Sequence, residues 1–168
     1  LIARDKSKKE GNELQRWAIK ILLNSMFGVL ANPNCRFFNL NIANAITHFG
    51  QSLIKLTAKK ISEEGYEVIY SDTDSCFILS KAKNLEEAEK IGKELNKKLN
   101  NFFKEFVKKE YNRESKLILE YEKCFTRFLM PKIRGSEEGA KKRYAGLNSN
   151  GKIEIIGLEA IRGDWTEL

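Results

Sequence analysis

The chain has 168 residues, a net charge of +7, one histidine and three cysteines, and 42% of it is hydrophobic. The length suits one compact domain able to bury a core, and the basic balance suits a polyanionic partner. No apolar run approaches the roughly 20 residues that cross a bilayer, and no secretory signal pattern is read. Cys35, Cys76 and Cys124 are odd in number, widely spaced and outside metal-type pairs, so they read as reduced thiols.

Residues 1–12, with Lys6, Lys8, Lys9 and Glu10 around Gly11, read as a turn or a loose end. A helix is expected over 13–31, where Leu14, Ile19, Leu22, Leu23, Met26 and Leu30 share one face, and Ala31-Asn32-Pro33-Asn34 breaks it. A second helix is expected over 40–64, its face marked by Ile42, Ala45, Phe49, Leu53, Leu56 and Ile61 and its end by Gly65. His48 falls on it and reads as a helix-surface or core-edge residue rather than a ligand. Residues 67–70 and 76–79 are β-prone runs on either side of a short polar tip, the pattern of a hairpin. Asn84 stands where it can cap a third helix carrying Leu85, Ala88, Ile91, Leu95, Leu99, Phe102 and Phe106 at helical spacing. After Tyr111 the period changes. Strands are expected over 116–128, 142–147 and 152–157, with a glycine- and charge-containing loop over 130–140. Asn148-Ser149-Asn150-Gly151 joins the last two, an Asn-Gly hairpin signal. Helices packed on one face of an antiparallel sheet define an α+β class.

The hairpin tip reads Tyr70-Ser71-Asp72-Thr73-Asp74-Ser75. Asp-x-Asp in a polar turn is commonly only a solvated loop. Two carboxylates one residue apart also concentrate charge that a cation or a hydrogen-bond donor must relieve. Hard oxygen ligands of this kind suit Mg²⁺, which takes one or two protein carboxylates together with substrate phosphates. On the 13–31 helix a second row, Arg16, Lys20, Asn24 and Phe27, runs beside the apolar face at spacings that stack side chains. Gly28 follows at a cost of about 1 kcal/mol relative to alanine, which suggests a close approach to the backbone there. Such a strip can serve a nucleoside triphosphate, or it can simply face water.

Taken together, Lys20-x-x-x-Asn24-Ser25-x-Phe27-Gly28 and, 42 residues beyond Gly28, Tyr70-x-Asp72-Thr73-Asp74-Ser75 resemble the fingers and palm motifs of family B DNA polymerases. Cys35-Arg36-Phe37-Phe38, Leu119-Glu120-Tyr121-Glu122, Lys141-Lys142-Arg143-Tyr144, Gly157-Leu158-Glu159 and Arg162-Gly163-Asp164-Trp165 follow in the same order. Phe128-Leu129-Met130-Pro131 through Ile133-Arg134-Gly135 is particularly similar to the bacterial DNA polymerase II branch. Two positions depart from the family pattern: Phe27 where tyrosine is usual, and Ser71 where glycine is usual. Neither removes a metal ligand.

The resemblance implies a palm-type antiparallel sheet with a fingers helix at the N-terminus. It divides the chain into fingers over 1–34, palm over 35–156 and the start of a thumb from 157. It implies that Asp72 and Asp74 coordinate Mg²⁺ for nucleotide addition to a primer 3′ end, Asp74 being the more central. It implies that Lys20 and Asn24 hold the triphosphate while Phe27 lies against the new base pair. Lys141, Lys142, Arg143 and Tyr144 would grip the primer–template duplex. Strand alternation would send Lys142 and Tyr144 to one face, Lys141 and Arg143 to the other. Arg162 and Trp165 would fix the thumb base. Glu120 is an accessory carboxylate by this reading and an edge-strand glutamate in water by the competing one.

The family's other palm aspartate motif, Asp-x-x-Ser-Leu-Tyr-Pro-Ser, is absent here, and Pro33 and Pro131 are the only prolines. The isolated chain is therefore expected to be inactive. It would work with primer–template DNA, deoxynucleoside triphosphates and the remaining polymerase domains, in cis or as half of a split enzyme. The expected location is cytoplasmic and nucleoid-associated, without a membrane. A non-catalytic nucleic-acid-binding relative is the alternative, although such a relative has no physical need for two repelling carboxylates.

Overall fold

The computed structural model describes residues 2–133, 135 and 139–161. Its contacts divide into two compact units, Leu1–Leu53 and Ile54–Leu168. The first contains helices α1 (Ile2–Lys9) and α2 (Glu13–Ala31), together with residues 40–53 of α3 (Leu40–Glu63). The start of the chain is thus helical, where a turn or loose end is expected from its charge. Its polar sequence is tied down by one small residue: Ser7 is buried, with its hydroxyl 2.9 Å from the Ala3 carbonyl and 2.8 Å from the Gln15 side-chain oxygen. Gly11 turns the chain at φ 68°, and the Asn12 side chain accepts from the Gln15 N–H at 3.0 Å to cap α2.

Helix α2 has the expected bounds but not the expected burial. None of its residues is buried, and Leu14 is 87% exposed. Periodicity determines which side chains share a face; whether anything covers that face is a tertiary matter. The front of α3 behaves likewise, with Ala43 buried and Ile42, Ile46 and Phe49 exposed.

In the second unit, Ile61 of α3 packs with Leu95 and Leu99 of α4 (Leu85–Tyr111), and Tyr66, Val68, Cys76, Ile78 and Leu119 close around them. Asn84 caps α4 by accepting from the Glu87 N–H at 2.8 Å, and Asn112 ends it in the left-handed conformation at φ 50°. Phe103, outside the expected stripe, is fully buried and meets the rings of Phe102 and Phe106.

The class is α+β, with two small antiparallel sheets: β1 (Glu67–Ser71) with β2 (Cys76–Leu79), and β3 (Phe125–Leu129), β4 (Tyr144–Asn148) and β5 (Ile153–Ile156) in that order. The strand expected over 116–128 is shorter. Residues 116–123 alternate in burial as a strand would, yet residues 116–124 form no ladder. A strand needs a partner for its main chain; at Leu119 the partner is a side chain. The Asn100 amide donates to the Leu119 carbonyl and accepts from its N–H, both at 2.9 Å.

Each sheet carries one bulge, and together the two bulges decide where the aromatic rings go. In β1 the register passes from Val68↔Ile78 to Tyr70↔Phe77, so Ile69 is the extra residue. Tyr70 thereby shares a face with Phe77, opposite to Val68, Cys76 and Ile78, which pack on the helices. In β3 the register passes from Phe125↔Asn148 to Arg127↔Leu147, making Thr126 the extra residue, with its hydroxyl on the Leu147 carbonyl at 3.2 Å. Phe125 and Phe128, three apart, then face the same way. Tyr70, Phe77, Phe125, Phe128 and Tyr144 form one five-ring cluster, with Phe77 stacked on Phe125 at 6.2 Å and edge-on to Tyr144 at 5.3 Å. Gly146 makes room for it, since a Cβ there would lie 2.4 Å from the Phe125 ring.

Candidate active site

The acidic tip grows directly from the β1–β2 hairpin. The Asp72 N–H donates to the Ser75 carbonyl at 3.0 Å, closing a tight turn with Thr73 and Asp74 at its apex. Ser71 stays outside the left-handed region, so the glycine usual in the family is not required here for its backbone freedom. One oxygen of Asp72 (Oδ1) accepts from the N–H of Thr73 at 2.8 Å and from its hydroxyl at 3.2 Å. The other, Oδ2, accepts from the Lys142 ammonium at 2.8 Å. That ammonium is the main force holding the Asp72 carboxyl below its usual range, with Thr73 adding to it and burial opposing it. In return the Asp72 bond, then its charge, holds Lys142 above its ordinary value, and the charge of Asp74 contributes a smaller share.

Lys142 is placed by its main chain. Its N–H donates to the Tyr70 hydroxyl at 2.8 Å, and its backbone is left-handed at φ 58°. Gly157, at φ 60°, lies against its carbonyl so closely that a Cβ would sit 2.1 Å from the oxygen. Lys141 and Lys142 therefore occupy a turn, and β4 begins only at Tyr144. The expected strand alternation does not extend back to Lys141. Tyr144 points into the ring cluster, and Arg143 pairs with Glu159 of a short 3-10 helix (Glu159–Ile161) while its Nε is buried without a partner.

Glu120 is exposed on the extended segment before β3, and it joins no group of three or more candidate metal ligands among the described residues. In the first unit, Lys20, Asn24 and Phe27 lie exposed along α2, with the Lys20 ammonium 4.9 Å from the centre of the Trp17 ring. No described protein atom lies within 4 Å of where a Cβ on Gly28 would stand. Arg162 and Trp165 lie outside the described residues. Tyr70, Gly157 and Glu159 all fall within recognised motif segments, but nothing in the sequence indicates that they converge on Lys141-Lys142-Arg143.

The Asp72 and Asp74 donor set suits a hard cation. A positively charged nitrogen already sits on one Asp72 oxygen, and the neighbouring Asp74 carboxylate is exposed. Two carboxylates are fewer ligands than Mg²⁺ takes, leaving the rest to water, substrate phosphates or groups outside the chain.

An acidic hairpin tip thus stands beside a basic turn on an α+β scaffold, and the family model for DNA polymerase family B matches residues 2–168. The chain belongs to that family. It is 45% identical over 98% of its length to DNA polymerase II of Escherichia coli (strain K12), 36% identical over 90% to DNA polymerase 2 of Aeropyrum pernix, and 32% identical over 93% to the DNA polymerase alpha catalytic subunit of Xenopus laevis. It spans 22%, 16% and 10% of the lengths of those relatives respectively.

Proposed function

We propose that this chain is the fingers–palm part of a DNA-dependent DNA polymerase, with fingers over 1–34, palm over 35–156 and the thumb beginning at 157. The observation that carries the reading is the cation position at the hairpin tip, where an ammonium lies 2.8 Å from Asp72 and Asp74 stands beside it. Asp72 and Asp74 would hold Mg²⁺, which when bound lowers the pKa of the primer 3′-hydroxyl and stabilises charge on the leaving pyrophosphate. The protein's own part is positioning and electrostatics. Lys20 neutralises the triphosphate, Asn24 hydrogen-bonds it, and the Phe27 ring packs against the new pair. Lys141 and Lys142 offer ammonium groups to the duplex backbone, contacts that position DNA without reading its sequence. Arg143 and Tyr144 support that turn, Arg143 through Glu159 and Tyr144 through the ring cluster. This gives both a positioning role in place of the direct grip expected from the sequence. Arg162 is retained as a duplex contact on the resemblance alone. The site of action would be cytoplasmic and nucleoid-associated.

The test is reassembly. The chain is combined with a fragment carrying the missing palm aspartate motif, and Mg²⁺-dependent primer extension is measured. Extension is expected from the mixture and not from the chain alone. Asp74→Ala is expected to abolish it; full activity in that variant would refute the metal assignment. A mixture that binds duplex but never extends primers would favour the non-catalytic relative.

A further inference from the structure

The carboxylate that would take a metal ion already has a cation, and that cation is delivered by a backbone held at two points. The Tyr70 hydroxyl fixes the Lys142 N–H, Gly157 closes on the Lys142 carbonyl, and the residue between them stands at φ 58°. A left-handed lysine is uncommon, and it persists only where its surroundings over-determine it. The side chain is held less firmly than the main chain: it is 67% exposed, and the Asp72 bond anchors its far end. Such a group can leave without unfolding the turn that carries it.

We infer that Lys142 is a resident counter-ion that occupies Oδ2 of Asp72 and competes with a divalent cation for that carboxylate, with Tyr70 as the residue that positions it. This deepens the metal reading above and rests on it. An ammonium on Asp72 Oδ2 takes one of its lone-pair positions and repels a divalent cation approaching the same carboxylate, so binding of the ion loosens the ammonium's hold on Asp72. Until then Lys142 offsets the charge at the tip and keeps the turn in shape. The ammonium so released stays on the same turn as Lys141, free to meet a phosphate.

The measurement is Mn²⁺ binding by electron paramagnetic resonance, made on the full polymerase carrying this segment, without DNA or nucleotide. Lys142→Met keeps the stem and removes the charge, and is expected to tighten Mn²⁺ binding about fivefold, the ratio matching a partly exposed ion pair at its stronger end. Tyr70→Phe keeps the ring in its cluster and is expected to tighten binding by a smaller factor. The double variant should bind no more tightly than Lys142→Met alone, because Tyr70 acts only through Lys142. Unchanged or weaker binding in Lys142→Met, with Asp72→Asn still weakening it, overturns the counter-ion and leaves the metal site standing. If Asp72→Asn leaves Mn²⁺ binding unchanged, the metal reading and the competition fall together.

Discussion

At Gly157 and Gly146 the absence of a side chain is structural, and the two absences differ in kind. A Cβ at Gly157 would meet the Lys142 carbonyl oxygen at 2.1 Å, from a backbone already at φ 60°. A main-chain oxygen cannot swing aside, so Gly157→Ala must move the turn bearing Lys142. A Cβ at Gly146 would meet the Phe125 ring at 2.4 Å, and a ring in a packed cluster can shift only at the expense of its neighbours. Overpacking of this sort costs about 1–3 kcal/mol. Both variants are expected to lower the melting temperature, but only Gly157→Ala should also weaken duplex binding. Equal loss of duplex affinity in the two would show that Gly157 has no special tie to Lys142. The acids and the basic tetrad are legible in the sequence as separate motifs. Their contact is not, because Asp72 and Lys142 are joined by an ion pair across 70 residues with no periodicity to announce it.

Among the elements, the helices are the most legible: α2, α3 and α4 have the bounds their periodicity and caps suggest, to within a residue or so. The strands are less so, for two reasons visible at particular positions. Ile69 and Thr126 each insert one residue into a ladder, so a strict period of two assigns Tyr70 and Phe125 to the wrong faces. The segment before β3 has strand-like alternation, but its main chain at Leu119 is satisfied by Asn100 rather than by a neighbouring strand. Asn100→Ala removes both bonds, and at roughly 1 kcal/mol each the expected loss is about 2 kcal/mol. Asn100→Asp still accepts from the Leu119 N–H but faces its carbonyl with a second acceptor. Chemical denaturation should therefore find neither variant as stable as the parent; a neutral Asn100→Ala would mean the segment is held elsewhere. The same segment is tied to β5 by Lys123, whose ammonium lies 2.7 Å from both Glu154 oxygens. That bond is the main reason the Glu154 carboxyl lies below its ordinary 4.5, with burial opposing it and Asn148 assisting. A carboxyl lowered by folding binds fewer protons folded than unfolded. Its stabilisation is thus complete above the unfolded value and disappears as pH falls through the folded one. Below about pH 4.5 the parent should lose stability faster than Lys123→Met, which has no such pair to lose. Parallel acid-unfolding curves would show that the pair contributes nothing.

For the whole molecule, the exposed apolar face of α2 and the excess of positive charge support the same conclusion from different physics. Leu14, Ile21, Leu22 and Met26 are more than half exposed, although the pattern of α2 is that of a core helix. The chain spans 22% of its Escherichia coli relative, and under the polymerase proposal further polymerase domains would cover them. The net charge of +7 is legible at once but does not say which cations would meet DNA under that proposal. The structure shows only how two of them are engaged. Arg143 is committed to Glu159, whereas Lys141 is exposed on the turn beside Lys142. Phosphate contacts release counterions, so each one contributes close to one unit to the slope of log affinity against log salt. Lys141→Gln is expected to weaken duplex binding uniformly across sequences and to reduce that slope by about 1. Arg143→Gln should leave the slope nearly unchanged while lowering thermal stability, since it strands Glu159 rather than a phosphate. Fluorescence anisotropy with a labelled duplex over a salt series measures both. If Arg143→Gln instead lowers the slope by as much as Lys141→Gln, Arg143 grips the duplex directly and its pairing with Glu159 is given up on binding.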